Sequence, residues 1–202
     1  MRLNERRRGF TLVELLVVIL IISSLAALLV PTVFSARRKL YKVQCKTNLS
    51  SIAKLATMYA DDHRGFLPFP KGLDEPQAYE SFQIMVDRLE DARRPKLYIC
   101  PESEDEEAEV EDKETGMFQL TEDNVSYTWR RKRTRVGKGG RRIMSCDNSI
   151  ADDSLDITEN HTGGINAVKL DTSVEWLDMK EDLGLNSADE LEEYFEEHGL
   201  TK

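Results

Sequence analysis

Residues Arg6–Pro31 read RRRGFTLVELLVVILIISSLAALLVP, and this stretch decides the fold. Three arginines and a glycine lead into a run of 21 residues from Phe10 to Val30. Fifteen of these are Leu, Ile, Val or Phe, and Glu14 is the one charge. Each large apolar side chain contributes roughly −0.3 to −0.6 kcal/mol toward membrane insertion, a sum of about −7 kcal/mol. An acid near one end costs less than the ~3 kcal/mol it costs at the bilayer centre, so insertion wins. As a helix the run is about 31 Å long, one hydrocarbon core. The acid is the anomaly. Intramembrane acids mark function and call for a partner, and no basic residue lies within the run.

Outward from the run, both flanks are basic. Arg2, Arg6, Arg7 and Arg8 against Glu5 suit a cytoplasmic N-terminus, but Arg37, Arg38, Lys39 and Lys42 follow on the other side. Charge bias alone leaves the orientation open. Pro31 inside a helix removes one hydrogen bond and presses on the Ala27 carbonyl. A helix end, a kink and a segment that melts on assembly all fit it. Beyond it, Tyr41, Cys45, Leu49, Ile52, Ala56 and Tyr59 recur at helical spacing, flanked by Asn48 and Leu55. The helix therefore resumes to about Ala60, with Cys45 on the face turned to a head. Asp61 and Asp62 oppose the dipole at its end, Gly65 supplies a left-handed cap, and Pro68 prevents continuation. Cap chemistry explains Asp61, Asp62 and His63 without a metal.

The string GFTLVELLVVILIISSLAALLVP resembles the cleavage signal and first helix of type IV pilins and type II secretion pseudopilins. The resemblance implies cutting by a prepilin peptidase between Gly9 and Phe10 and N-methylation of Phe10. Glu14 and Pro31 also stand where the family has them, counted from that cut. It implies that the Glu14 carboxylate meets the new terminal amine of a neighbouring subunit as a filament grows. The physics agrees, because a fresh cation at the membrane is a partner for a buried carboxylate. A generic secretory peptide is cut after its apolar run, whereas here the run survives in the product. The resemblance also sets the orientation, leader inside and head outside. A plain one-pass anchor is the bland alternative.

Residues 62–202 are enough for one modest domain. The net charge of −9 and pI near 5.0 offer no global basic field for nucleic acid. The three cysteines, Cys45, Cys100 and Cys146, cannot all pair within the chain. No CxxC, HExxH, GxSxG or P-loop string occurs, and no Cys/His cluster of zinc type.

In the head, Ala78–Leu89 reads as a short helix and Lys96–Cys100 as a short strand stopped by Pro101. Glu102–Glu114 holds nine acids against Lys113 and stays solvated. Val125–Trp129 alternates as a strand, and Arg141–Cys146 reads as its return across a turn at Val136–Gly140. The resulting hairpin carries eight basic residues between Arg130 and Arg142. Trp129 is the one aromatic beside them, whereas a nucleic-acid stacking platform interleaves several. The basic stretch is better read as answering the acidic block, within the head or between subunits. Ser187–Glu190 is a capping-box pattern opening a short acidic helix over Leu191, Tyr194 and Phe195, stopped by Gly199.

Residues 160–176, NHTGGINAVKLDTSVEW, resemble the H-x-G-G-x-N … D-G-x-V ending of a planctomycete-type pilin-like group. Cys45 with Asn48 and Leu49, the segment YADDHRGFLP and the pair Cys100–Pro101 resemble the same group. Ile165–Leu170 and Val174–Leu177 read as two strands joined at Asp171–Ser173. Thr172 stands where the group has Gly, and a β-branched residue resists positive φ, so a different turn type is expected. Which cysteines pair is not decided by the sequence. The resemblance favours Cys45 with Cys100, and Cys100 with Cys146 is the alternative. His161 with Asp147 and Cys146 invites a catalytic triad, but nothing in the sequence sets its geometry. Gly163–Gly164 is better explained by a backbone turn.

The reading is an α+β, pilin-like chain whose long, partly transmembrane N-terminal helix packs against a small antiparallel head. Its expected parts are a cytoplasmic leader (1–9), a transmembrane half-helix (10–30), an exported half-helix (31–61) and the head (62–202). The expected function is a filament subunit, not an enzyme, with no cofactor and no metal. Expected partners are the prepilin peptidase, other pilin or pseudopilin subunits and an inner-membrane assembly platform, with nucleic acid disfavoured. The expected location is the inner membrane, in a single pass, with a periplasmic head. The rival of another class is a membrane-tethered binding module that never polymerises.

Overall fold

A computed structural model describes residues 12–74, 76–103, 105–136, 140, 142–147, 164–178, 180–185 and 188–201. Gly9, Phe10, His161 and Gly163 lie outside the described residues.

The first element is one helix, α1 (Leu12–Asp62). It runs on through Pro31, so the helix end considered there is not where the chain stops being helical. The chain divides into two units, 1–39 and 40–202. In the first, the described side chains from Leu12 to Lys39 are exposed. In the second, Cys45, Leu49, Ile52, Ala53 and Ala56 of α1 are fully buried, because their spacing puts them on one stripe. The helix closes as Gly65 N–H donates to the Ala60 carbonyl at 2.7 Å, with Arg64 and Gly65 both in the left-handed region.

Helix α2 (Ala78–Arg88) opens where Gln77 N–H donates to the Glu80 carboxylate at 2.8 Å. Its buried face presents Phe82, Met85 and Val86. Among the described residues, three small antiparallel sheets follow. β1 (Val110–Asp112) pairs with β2 (Met117–Phe118), and β3 (Trp129–Arg130) pairs with the distant β7 (Leu200–Thr201). β4 (Ile143–Cys146), β5 (Gly164–Lys169) and β6 (Val174–Asp178) form the third, in that order. Helix α3 (Ala188–Glu197) precedes β7.

Strand alternation, shifted by an irregularity between Ile143 and Ser145 of β4, gives the third sheet two apolar faces. Met144 and Val168 join the main core with the α1 stripe, Phe82, Tyr98, Phe118, Tyr127 and Trp129. Ile143, Cys146, Ile165 and Ala167 join a second cluster with Leu191 and Phe195 of α3. The acidic C-terminal helix thus docks on the head through its apolar edge.

Three local expectations are corrected. Lys96–Cys100 is no strand: Pro95–Leu97 is a turn of 3₁₀ helix and the chain then runs irregularly. The carbonyls of Lys96 and Ile99 are taken by the Asn48 amide instead of a neighbouring strand. The basic hairpin is kept only in part, and residues 137–139 and 141 of it lie outside the described residues. Tyr127 bridges Asp147, but β3 then leaves for β7, and Thr134–Val136 pairs back to Gly65–Leu67. Finally, Thr172 does adopt a positive φ, 67°. The hairpin register between β5 and β6 is continuous from Gly164↔Asp178 to Val168↔Val174, and it forces the left-handed residue on that position.

Candidate functional site

Two places bear on function. The first is the apolar segment of α1. Its large apolar side chains from Leu12 to Val30 are all exposed. Such a surface is stable only when a bilayer or other apolar helices cover it. Three hydroxyls along it bond back to the helix itself. Ser23, Thr32 and Ser35 hydroxyls donate to the carbonyls of Ile19, Leu29 and Thr32 at 2.7, 2.7 and 2.9 Å. Glu14 lies in the first turn, where the helix dipole favours an anion.

The second is the seam where α1 meets the third sheet. Asp147 follows β4 and is fully buried. Its Oδ2 accepts from both the backbone N–H and the side-chain amide of Asn166, each at 2.8 Å. Burial pushes this carboxyl up to about 7, against the pull of the Asn166 bonds and of Lys42. The Lys42 ammonium sits 2.9 Å from the centre of the Trp176 ring, and desolvation lowers its pKa. Gly164 lies under the same indole. A Cβ there would sit 2.3 Å from the Leu177 carbonyl oxygen and 2.6 Å from Trp176 Cζ2. Gly164 is thus the first residue of a strand with a ring packed on it, where the sequence suggested a backbone turn. Asn166 and Gly164 of the H-x-G-G-x-N string have structural duties at this seam.

The role of Asn48 escaped the sequence reading. Asn48 was placed beside the apolar stripe, yet it is buried and ties α1 to the head. Its amide nitrogen donates to Lys96 O, Ile99 O and Tyr127 Oη at 3.2, 3.0 and 3.2 Å. Cys45, one turn earlier, is joined by a disulfide to Cys100, so covalent bond and amide clamp the same loop. The signal available was a lone polar residue at helical spacing among apolar ones.

The chemistry of Cys146 speaks against a nucleophile. It is buried, its Sγ lies 3.0 Å from Thr128 Oγ1, and burial pushes its thiol far up. His63 stacks on Tyr59 and meets the Tyr59 carbonyl at 2.7 Å. Among the described residues, no group of three His, Cys, Asp or Glu side chains is placed to hold a metal.

Comparison with known proteins points to the first place. Residues 5–30 match the prokaryotic N-terminal methylation motif. The chain is 34% identical over 74 residues to type II secretion system core protein G of Escherichia coli, covering 37% of this chain and 51% of that one. It is 39% identical over 59 residues to the type IV wide pilus major component PilA4 of Thermus thermophilus, 29% of this chain and 45% of that one. It is 36% identical over 66 residues to the ComG operon protein 3 homolog of Bacillus licheniformis, 33% of this chain and 66% of that one. The chain thus spans about half the length of the first curated relatives it matches. No solved structure matches it.

Proposed function

From a chain whose N-terminal segment is of the prepilin type, we infer a structural subunit of a type IV pilus-like or type II secretion pseudopilus filament. One observation carries this reading: an uncovered apolar helix surface that starts within the methylation motif and holds a lone acid in its first turn. Before assembly the bilayer covers that surface. A prepilin peptidase cuts between Gly9 and Phe10, the Phe10 amine is methylated, and the head lies outside the inner membrane. In the filament, α1 segments of other copies replace lipid around the helix. Glu14 then fixes axial register by meeting the Phe10 amine of a neighbour. Charge pairing in an apolar medium is strong, and breaking one partner costs several kcal/mol, which is what makes register sharp. The protein turns over no substrate in this reading.

Mass spectrometry of the native N-terminus tests the processing step. A chain beginning at N-methylated Phe10 is the expected result, and an intact Met1 would falsify it. Glu14→Ala tests assembly: polymer recovered from cells should fall at least tenfold with the chain still in the membrane. Undiminished polymer removes Glu14 from the mechanism, and a wild-type chain that stays single in its membrane leaves only a tethered head.

A further inference from the structure

Glu109 and Glu111 of the acidic block and Arg133 and Arg135 of the basic stretch do not pair with each other within the head. Glu109 and Glu111 are exposed on and beside β1, and among the described residues neither is in an ion pair. On the other side, Arg64, Lys71, Arg133 and Arg135 are exposed, and among the described residues none of them is in an ion pair either.

These cations are held in place. The Leu67 N–H donates to Thr134 O and the Val136 N–H to Gly65 O, both at 2.9 Å, so the arginine segment is stitched to the end of α1. The guanidiniums of Arg133 and Arg135 lie 3.9 and 4.5 Å from the centre of the Phe66 ring. Arg64, Lys71 and Arg133 line a cavity of about 540 Å³ together with Phe66 and Leu67, three cations against the one carboxylate of Asp62. The acidic block offers the opposite charge and an apolar group: Val110 is its one large exposed apolar side chain, set between Glu109 and Glu111.

The two patches also lie apart along α1. The cavity is lined by Tyr59 and His63. Glu107, in the middle of the acidic block, lines a groove with Tyr41, Gln44 and Asn48 and pairs with Lys96 at 3.6 Å. Gln44 and Tyr59 are separated by about 22 Å of helix at 1.5 Å per residue.

We propose that the cavity at the end of α1, lined by Arg64, Lys71 and Arg133, receives the Glu109–Val110–Glu111 segment of a second copy of this chain. The contact is heterologous: each copy keeps one free basic patch and one free acidic patch, so it repeats along one direction instead of closing into a dimer. It rests on the filament reading and adds a second tie between subunits, outside the membrane. A net charge of −9 and carboxylates on the same head favour a like chain over a nucleic acid as the occupant.

The test uses the full chain in membranes of a strain that assembles it. Arg133→Glu with Arg135→Glu, and separately Glu109→Lys with Glu111→Lys, should each cut recovered polymer roughly tenfold, since several exposed charge pairs become repulsions. Co-expressing the two variant chains should restore polymer, because each then meets an opposite patch on the other. That rescue excludes misfolding as the cause. Carbodiimide treatment of wild-type polymer should join Lys71 of one copy to Glu109 or Glu111 of another. Wild-type yield from either variant, or loss without mutual rescue, overturns the proposal while leaving the Glu14 reading intact. Loss of single-stranded DNA retention in the arginine variant, with polymer unchanged, assigns the cavity to nucleic acid and also overturns it. Absence of any wild-type polymer sinks the filament reading itself.

Discussion

Replacing Asp147 by Asn isolates the cost of a charge at the seam between α1 and the third sheet. In the unfolded chain the carboxyl titrates near 3.8, and in the folded head near 7. The folded state therefore holds a proton that the unfolded state has released between those two values, and stability falls as pH rises through that window. The shift is about three units, which at 1.36 kcal/mol each is about 4 kcal/mol, present in full above pH 7 and absent below pH 4. Asparagine keeps an acceptor for the two Asn166 donors and removes the charge. Asp147→Asn should match the wild type near pH 4 and be more stable at pH 8 by roughly 3 kcal/mol. For a chain of this size that is a rise in Tm of about 10 °C. Thermal unfolding of the full chain in detergent, followed by the fluorescence of Trp129 and Trp176, reads the difference. Taking it pH by pH cancels the other carboxylates. A variant less stable than the wild type at pH 8, or a gap that does not change from pH 4.5 to 8, refutes the reasoning. It would mean that Asp147 is a paired anion whose charge the seam requires.

Two further changes test the sheet. Thr172→Gly relieves a β-branched residue at φ 67° and should stabilise the head by about 1 kcal/mol by denaturant midpoint, with no change in m-value. Gly164→Ala places a methyl 2.3 Å from the Leu177 carbonyl oxygen. It should cost about 3 kcal/mol by the same measurement and move Trp176, so its emission should shift to the red.

What the sequence yields easily is what repeats locally. The run Phe10–Val30, the α1 stripe around Cys45 and Ile52, helix α2 and the strands on either side of Asp171 all announce themselves within a few residues. What escapes it depends on distant partners. Lys96–Cys100 has strand-forming residues, but the Asn48 side chain, some fifty positions earlier, satisfies its carbonyls and leaves no ladder to join. Trp129–Arg130 finds its partner at Leu200–Thr201, so a hairpin drawn from nearby turn residues misses it. Thr172 shows register overruling a single residue's preference. The seam of Lys42, Asp147, Asn166 and Trp176 joins four points of the chain that no spacing rule connects. The Arg133 cavity likewise takes part of its aromatic lining from Phe66, far from Arg133 in sequence.

The bond between Cys45 and Cys100 closes a loop whose ends lie 55 positions apart, worth about 4 kcal/mol in lost freedom of the unfolded chain. The cytoplasm keeps thiols reduced. On the proposed export of the head, a newly made chain still in the cytoplasm has both sulfurs open and lacks that contribution. The same reading makes the Cys45–Cys100 bond a latch that records arrival, and alkylating the thiols before and after export would count the chains on each side.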